Sequence, residues 1–233
     1  MTARRTAPRP GECRRTGTGG VGPLGRRSGS VQLDGVVQAP GGPDEDTTGG
    51  FAHGGWLVPF FEDTLGAQMD AWFAGVEDFL LGRGTYEIFA AAWPQAPTED
   101  DPVAEALNTR TKHVASRTLT SLDWSGARLV EGDVVEAVQA LRDRDGGELQ
   151  VHGAPGLVQT LLRADLVDEL RLVVAPVVLG EGKRLFGDGA IPRSWRLTSS
   201  ATTPTGVLLC TYRRGGEVET GAMGAEYEDA VSG

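Results

Sequence analysis

Four short segments of this 233-residue chain, residues 80–87, 114–118, 151–157 and 176–186, join an apolar, strand-like run to a polar turn that can hold phosphate. The first and third pass straight into a helical pattern. A helix N-terminus presents unpaired N–H groups and partial positive charge, so it is a ready anion site. In Gly82-Arg83-Gly84-Thr85 the threonine can cap the helix while its hydroxyl faces a phosphate, and Arg83 adds a planar, bidentate charge. The same residues would serve equally as an ordinary turn with a capped helix. Ser116-Arg117 closes the second run. Beside Arg83 it would complete a pocket of two guanidiniums and a hydroxyl, suited to a 2′-phosphate, with no acid of the kind that binds ribose hydroxyls in NAD sites. Its alternative is a solvent-facing arginine at a strand end.

Gly153-Ala154-Pro155-Gly156 lets a pyrophosphate approach the backbone, although it is a Gly-x-x-Gly and not the full dinucleotide fingerprint. His152, just before it, reads as a strand-end residue rather than a catalyst. Asp34, in Gln32-Leu33-Asp34-Gly35, precedes a Gly/Pro loop at residues 39–43. There it can hold an amino-heterocycle or relay a proton, or simply begin an Asp-Gly turn.

The elements that would position these residues alternate between strand and helix patterns, the mark of a layered α/β domain. Apolar residues spaced by three and four predict helices over 65–79, 85–93, 101–108, 134–141 and 156–166, the third with Asp100 or Asp101 as cap and Pro102 in its first turn. Strands are expected near 113–116, 127–131, 148–152, 169–179, 195–200 and 206–213. The last two flank Thr203-Pro204-Thr205-Gly206 and should form a hairpin.

Composition narrows the function classes. The net charge of −10 hides seven arginines against one acid in residues 1–29, and five acids with no Lys or Arg in residues 215–233. Both segments lack periodic apolar residues and are expected to be a disordered basic lead and a disordered acidic tail around a domain at 30–214. An acidic body argues against nucleic acid as a partner, and a basic arm without interleaved aromatics adds little to that reading. No run approaches the ~20 apolar residues that span a bilayer, so no membrane partner and a cytoplasmic location are expected. Cys210 reads as a buried free thiol and Cys13 as part of the polar lead; the three histidines lack metal-ligand spacing, so no metal is expected.

Together, residues 33–42, 81–87, 151–154, 166–170 and 176–186 resemble the dihydrofolate-reductase-like family, in particular the group related to the reductase domain of bacterial riboflavin biosynthesis. The resemblance covers roughly residues 31–214. It implies a three-layer α/β fold with a mixed, mostly parallel sheet and a C-terminal antiparallel hairpin. It also implies an NADPH-dependent reductase acting on a small nitrogen heterocycle or related sugar-amine, riboflavin-precursor-like or pterin-like, in a homodimer. The NADPH-binding positions it implies are Gly82, Arg83, Thr85, Ser116, Arg117, Gly153, Ala154, Gly156 and Leu157, with Asp34 as a substrate contact. A non-catalytic nucleotide-binding module is the alternative. Two departures stand out: no acid aligns with the carboxylate that dihydrofolate reductases use to protonate the pterin, and Gly25–Ser30 is a poor occupant of the central strand the family places there.

Overall fold

The computed structural model describes residues 25–187 and 190–221. Cys13, the arginines before residue 25 and the acids after residue 221 lie outside them. Eight strands form one sheet: β1 (Gly25–Gln32), β2 (Val76–Gly82), β3 (Thr111–Ala115), β4 (Ala127–Leu129), β5 (Glu148–His152), β6 (Glu169–Ala175), β7 (Trp195–Thr202) and β8 (Leu208–Arg214). Their order is β4-β3-β2-β5-β1-β6-β8-β7. The first six are mutually parallel, and β8 and β7 close the far edge antiparallel. The expected turn joins them, with Gly206 at φ +85° and the Thr203 hydroxyl accepting from Val207 N–H.

Five helices cover the two faces: α1 (Asp63–Phe73), α2 (Arg83–Ala92), α3 (Pro102–Thr109), α4 (Val134–Arg142) and α5 (Pro155–Arg163). On one face Val138 of α4 and Val158 and Leu161 of α5 pack on Val31, Leu80, Leu149, Val151 and Leu170. On the other, Leu65 and Trp72 of α1 meet Val173 and Leu209, while Tyr86 of α2 and Leu107 of α3 meet Phe79, Leu81 and Val114. This is the expected three-layer arrangement.

Three boundaries differ from the sequence reading. The helix expected over 65–79 ends at Phe73, and residues 76–79 belong to β2. Gly75 breaks the helical period, and Val76, Phe79, Leu80 and Leu81 are then buried on both faces of a central strand, a continuous run that a helical period also fits. The strand expected over 169–179 stops at Ala175, because Pro176 brings no N–H to the ladder. The end of the basic lead does not stay outside the domain: Gly25–Gly29 are part of β1, with Arg26, Arg27 and Ser28 paired on both sides in the middle of the sheet.

The register explains why so polar a segment fits there. Arg26 lies between Gln150 and Glu169, and Ser28 between His152 and Arg171, all polar positions. Arg27 lies between Val151 and Leu170, and Gly29 beside Leu172, on the alternate, apolar face.

Lys112 is a second buried oddity. It has no exposed surface, donates to the Leu107 carbonyl at 2.7 Å and lies 4.5 Å from the centre of the Trp124 ring. Burial pushes its ammonium down to about 8. Between that value and the unfolded one, near 10.4, the unfolded chain holds more protons than the folded one. Stability at this group therefore rises with pH across that window, by about 3 kcal/mol in all. Subtracting the pH profile of Lys112→Met from that of the parent, in denaturant titrations from pH 7.5 to pH 10.5, should isolate that rise.

Candidate functional site

Three adjacent parallel strands end at one height. Gly82 pairs with Ala115 and Leu81 with His152, so Gly82, Ser116 and Gly153 emerge side by side from β2, β3 and β5. The two turns that lead into helices are in contact. A Cβ on Gly82 would lie 2.4 Å from the Ala154 Cβ, and one on Gly153 would lie 2.3 Å from the Thr85 hydroxyl oxygen. Gly153 has φ +58° and Ala154 φ +44°, two successive left-handed residues, the second without glycine's freedom.

The helix ends at this edge differ from the rest. Glu62, Asp101 and Asp133 cap α1, α3 and α4, each carboxylate accepting from two N–H groups of the first turn. α2 begins after Gly82 and α5 after Ala154, and neither has a side-chain cap. Thr85 therefore does not cap α2, as the sequence reading allowed; the helix starts two residues earlier, and the threonine sits within its first turn against Gly153. The first turn of α2 keeps its N–H groups available; in α5 Pro155 has no N–H and Leu157 donates to the Ala154 carbonyl at 2.9 Å, so Gly156 N–H is the donor that its first turn offers.

The remaining expected contacts surround these turns. Arg83 is exposed and pairs with Glu87 at 3.1 Å, an exposed pairing of little strength. The Ser116 hydroxyl accepts from the N–H groups of Thr118 and Leu119, which leaves its own proton to donate outward. Arg117 follows on the exposed rim. Gly156, the second residue of α5, has open space above it, and Leu157 reaches back to within 4.0 Å of a Cβ built on Gly82.

Beside Thr85, Gly153 and Ala154 opens a cavity of about 880 Å³, a volume typical of small-molecule sites. Met69, Ile88, Phe89, Trp93 and Phe61 form apolar walls, Ser30 and His152 contribute polar surface, and residues 37–46 form the remaining side. A smaller, polar cavity of about 270 Å³ lies at the opposite edge of the sheet, lined by residues including Glu77, Asp78 and Arg128, away from the uncapped helices.

Asp34 does not line the large cavity. Its Oδ2 accepts from Gly180 N–H at 2.8 Å, Arg184 donates to its backbone carbonyl, and its Oδ1 is buried without a hydrogen-bond partner among the described residues. Gly35, at φ +82°, makes the Asp-Gly turn. Asp34 ties this turn to the loop at 180–184.

Two features escaped the sequence reading. His152 lines the cavity and its Nε2 meets the Gln150 Oε1 at 2.9 Å. The Gln150 amide donates to the Trp72 carbonyl and to Glu148, both acceptors only, so its oxygen must face the imidazole and His152 donates from Nε2. The second is the acidic run Asp44-Glu45-Asp46, which lies on the cavity. Burial pushes the Glu45 carboxyl above the usual range, against hydrogen bonds from Gly41 and Gly42. Burial also raises Asp46, but hydrogen bonds from Lys183 and Thr48 outweigh it and hold that carboxyl below its usual value. A run of three acids after a Gly/Pro loop was the available signal.

The profile of the RibD C-terminal domain family matches residues 29–209. The uncharacterized protein YyaP of Bacillus subtilis is 31% identical over 147 residues, 60% of this chain and 76% of its own. Among solved structures, a Shewanella sp. PV-4 protein named for riboflavin biosynthesis superposes with TM-score 0.63 at 23% identity, over 82% of this chain and 99% of its own. Dihydrofolate reductase from Enterococcus faecalis, complexed with NADP(H), gives 0.51 at 16% identity, over 82% and 96%. At such identities the two structures speak for the fold alone, which is the dihydrofolate-reductase-like one.

The close contact of the turns makes a direct prediction. Gly153→Ala must place a methyl against Thr85 at positive φ, and should cost about 2–4 kcal/mol of stability. Adding Thr85→Ala removes the hydroxyl and methyl that clash and should recover the steric part, leaving the backbone part. Denaturant melts of the single and double variants measure both.

Proposed function

The chain belongs to the RibD C-terminal domain family, and on that premise we propose that it is an NADPH-dependent reductase of a small nitrogen heterocycle or a related sugar-amine. One observation carries the reading: α2 and α5, alone among the five helices, start without side-chain caps, and they start side by side where glycines remove every obstructing Cβ. Such a cradle fits a pyrophosphate. Gly82, Thr85, Gly153, Ala154, Gly156 and Leu157 would hold it, and Ser116, Arg117 and Arg83 would surround a 2′-phosphate at the rim.

NADPH, when bound, supplies a hydride. The residues of this chain bind, orient and shield. Thr85, Gly153 and Ala154 belong both to the phosphate cradle and to the mouth of the cavity, so the cofactor would reach the second substrate there. The apolar walls would exclude water from the reacting faces, and His152 would offer a nitrogen held in a fixed tautomer. A homodimer belongs to the same proposal, and exposed Leu197 and Leu208 on the β7–β8 hairpin favour a face for it.

NADPH should bind more tightly than NADH. A charge-assisted contact is worth roughly 1.5–3 kcal/mol, so Arg117→Ala should weaken NADPH by about 10–100-fold and leave NADH almost unchanged. Titration calorimetry with both cofactors is the check, and equal losses for the two would overturn the placement of the 2′-phosphate.

A further inference from the structure

The cavity beside the cradle is divided by charge. The phosphate side has two bare helix N-termini and the rim arginines. The opposite side has Asp44, Glu45 and Asp46. Among the described residues, Lys183 is the one Lys or Arg that lines the cavity, and Asp46 already holds it at 2.6 Å. The imidazole of His152 also lines it, with Nε2 held on Gln150. Between these polar ends the walls are apolar and partly aromatic, with Phe89 and Trp93 edge-on at 6.2 Å and Phe61 largely exposed at the side. A flat ring gains contact from such walls. A phosphomonoester entering the same space would meet carboxylates with no uncommitted cation among the described side chains to answer it.

We propose that the second substrate of this site is a flat, uncharged or cationic heterocycle without a phosphate group, and that the acidic segment 44–46 turns phosphorylated analogues away. This rests on reading the cavity as the place where the reduced substrate sits beside the cofactor. It separates this chain from the Thermotoga maritima protein of the same fold, named as a deaminase and 5-amino-6-(5-phosphoribosylamino)uracil reductase, whose named substrate carries a phosphoribosyl group. That chain superposes at 14% identity, over 83% of this one and 57% of its own. The two would share the cofactor side of the site and differ on the acceptor side.

The test uses riboflavin and riboflavin 5′-phosphate, which have the same ring system and differ by one phosphate. Each is titrated by calorimetry into the full chain saturated with NADP⁺, so that no hydride is available. Riboflavin should bind at least about tenfold more tightly at low salt, since each like-charge approach at a protein surface costs roughly that factor. The preference should shrink in about 0.5 M salt. Asp44 is exposed, so Asp44→Lys should fold normally and bring the two affinities within about threefold. Equal or tighter binding of the phosphate overturns the proposal, as does failure of both probes to bind. NADPH affinity is measured separately. Loss of NADPH binding with the riboflavin preference intact would remove the cofactor reading and leave this one, whereas tight NADPH binding without the preference would do the reverse.

Discussion

The site depends on two neighbouring strands ending at the same height with no side chain between them. β2 and β5 bring Gly82 against Ala154 and Gly153 against Thr85 so closely that a single extra carbon at either glycine would collide. That contact fixes where α2 and α5 begin, and hence where their free N–H groups lie. A carboxylate cap on either helix would occupy the place an anion needs. Caps contribute about 1 kcal/mol each, and the three helices elsewhere in the fold have them. Leaving two uncapped, and holding Ala154 at positive φ, brings two departures from local stability together at one edge, as is common where functional residues sit.

Beneath the cavity the sheet carries a polar cluster unusual for a parallel core. Arg171 is buried between Glu148 and Glu169 and also donates to the Trp72 carbonyl. Gln150 joins the same carbonyl and Glu148, and passes the chain to His152. Buried charges are tolerated only when paired and hydrogen-bonded throughout, and here each contact constrains the next. The cluster therefore acts on the site through geometry: it sets the Gln150 amide, which sets the tautomer of His152. It also accounts for β1. A central strand next to this cluster meets polar partners at Arg26 and Ser28, a register that composition alone does not reveal.

Much of this was legible before any coordinates. The strand-to-turn segments at 80–87, 114–118 and 151–157 all end at the same edge, because in a parallel sheet every strand's C-terminal end faces one way. The hairpin turn at 203–206 and the Asp101 cap were readable because their chemistry is local. What failed was non-local. The helix read through to Phe79 failed because a strand buried on both faces looks, over a few residues, like a helix with one apolar face. The ties that hold Asp34 were not readable because its partners, Gly180 and Arg184, lie about 150 residues away in sequence. His152 was passed over because its neighbours Gln150 and Glu148 gain meaning only once Arg171 and the Trp72 carbonyl arrive from other elements.

The acidic side of the cavity owes its position to one buried side chain. Gln38 donates to the carbonyls of Asp46 and Thr48, accepts from Lys183 N–H, and through its own carbonyl receives the Trp56 indole. Lys183 then reaches Asp46 itself. These bonds add to the antiparallel bridge between Val36 and Arg184 in tying the loop after β1 to the segment after β6. Polar ties here act beside packing, since Val36, Ala39, Phe51 and Trp56 of the same loop are buried with Ala175. The consequence is a separation of fields. With a screening length of about 8 Å at physiological salt, the carboxylates of residues 44–46 act on what enters the cavity, and the helix N-termini and rim arginines act on what lies along the sheet edge. A single small domain can then attract phosphate at one end of its site and disfavour it at the other.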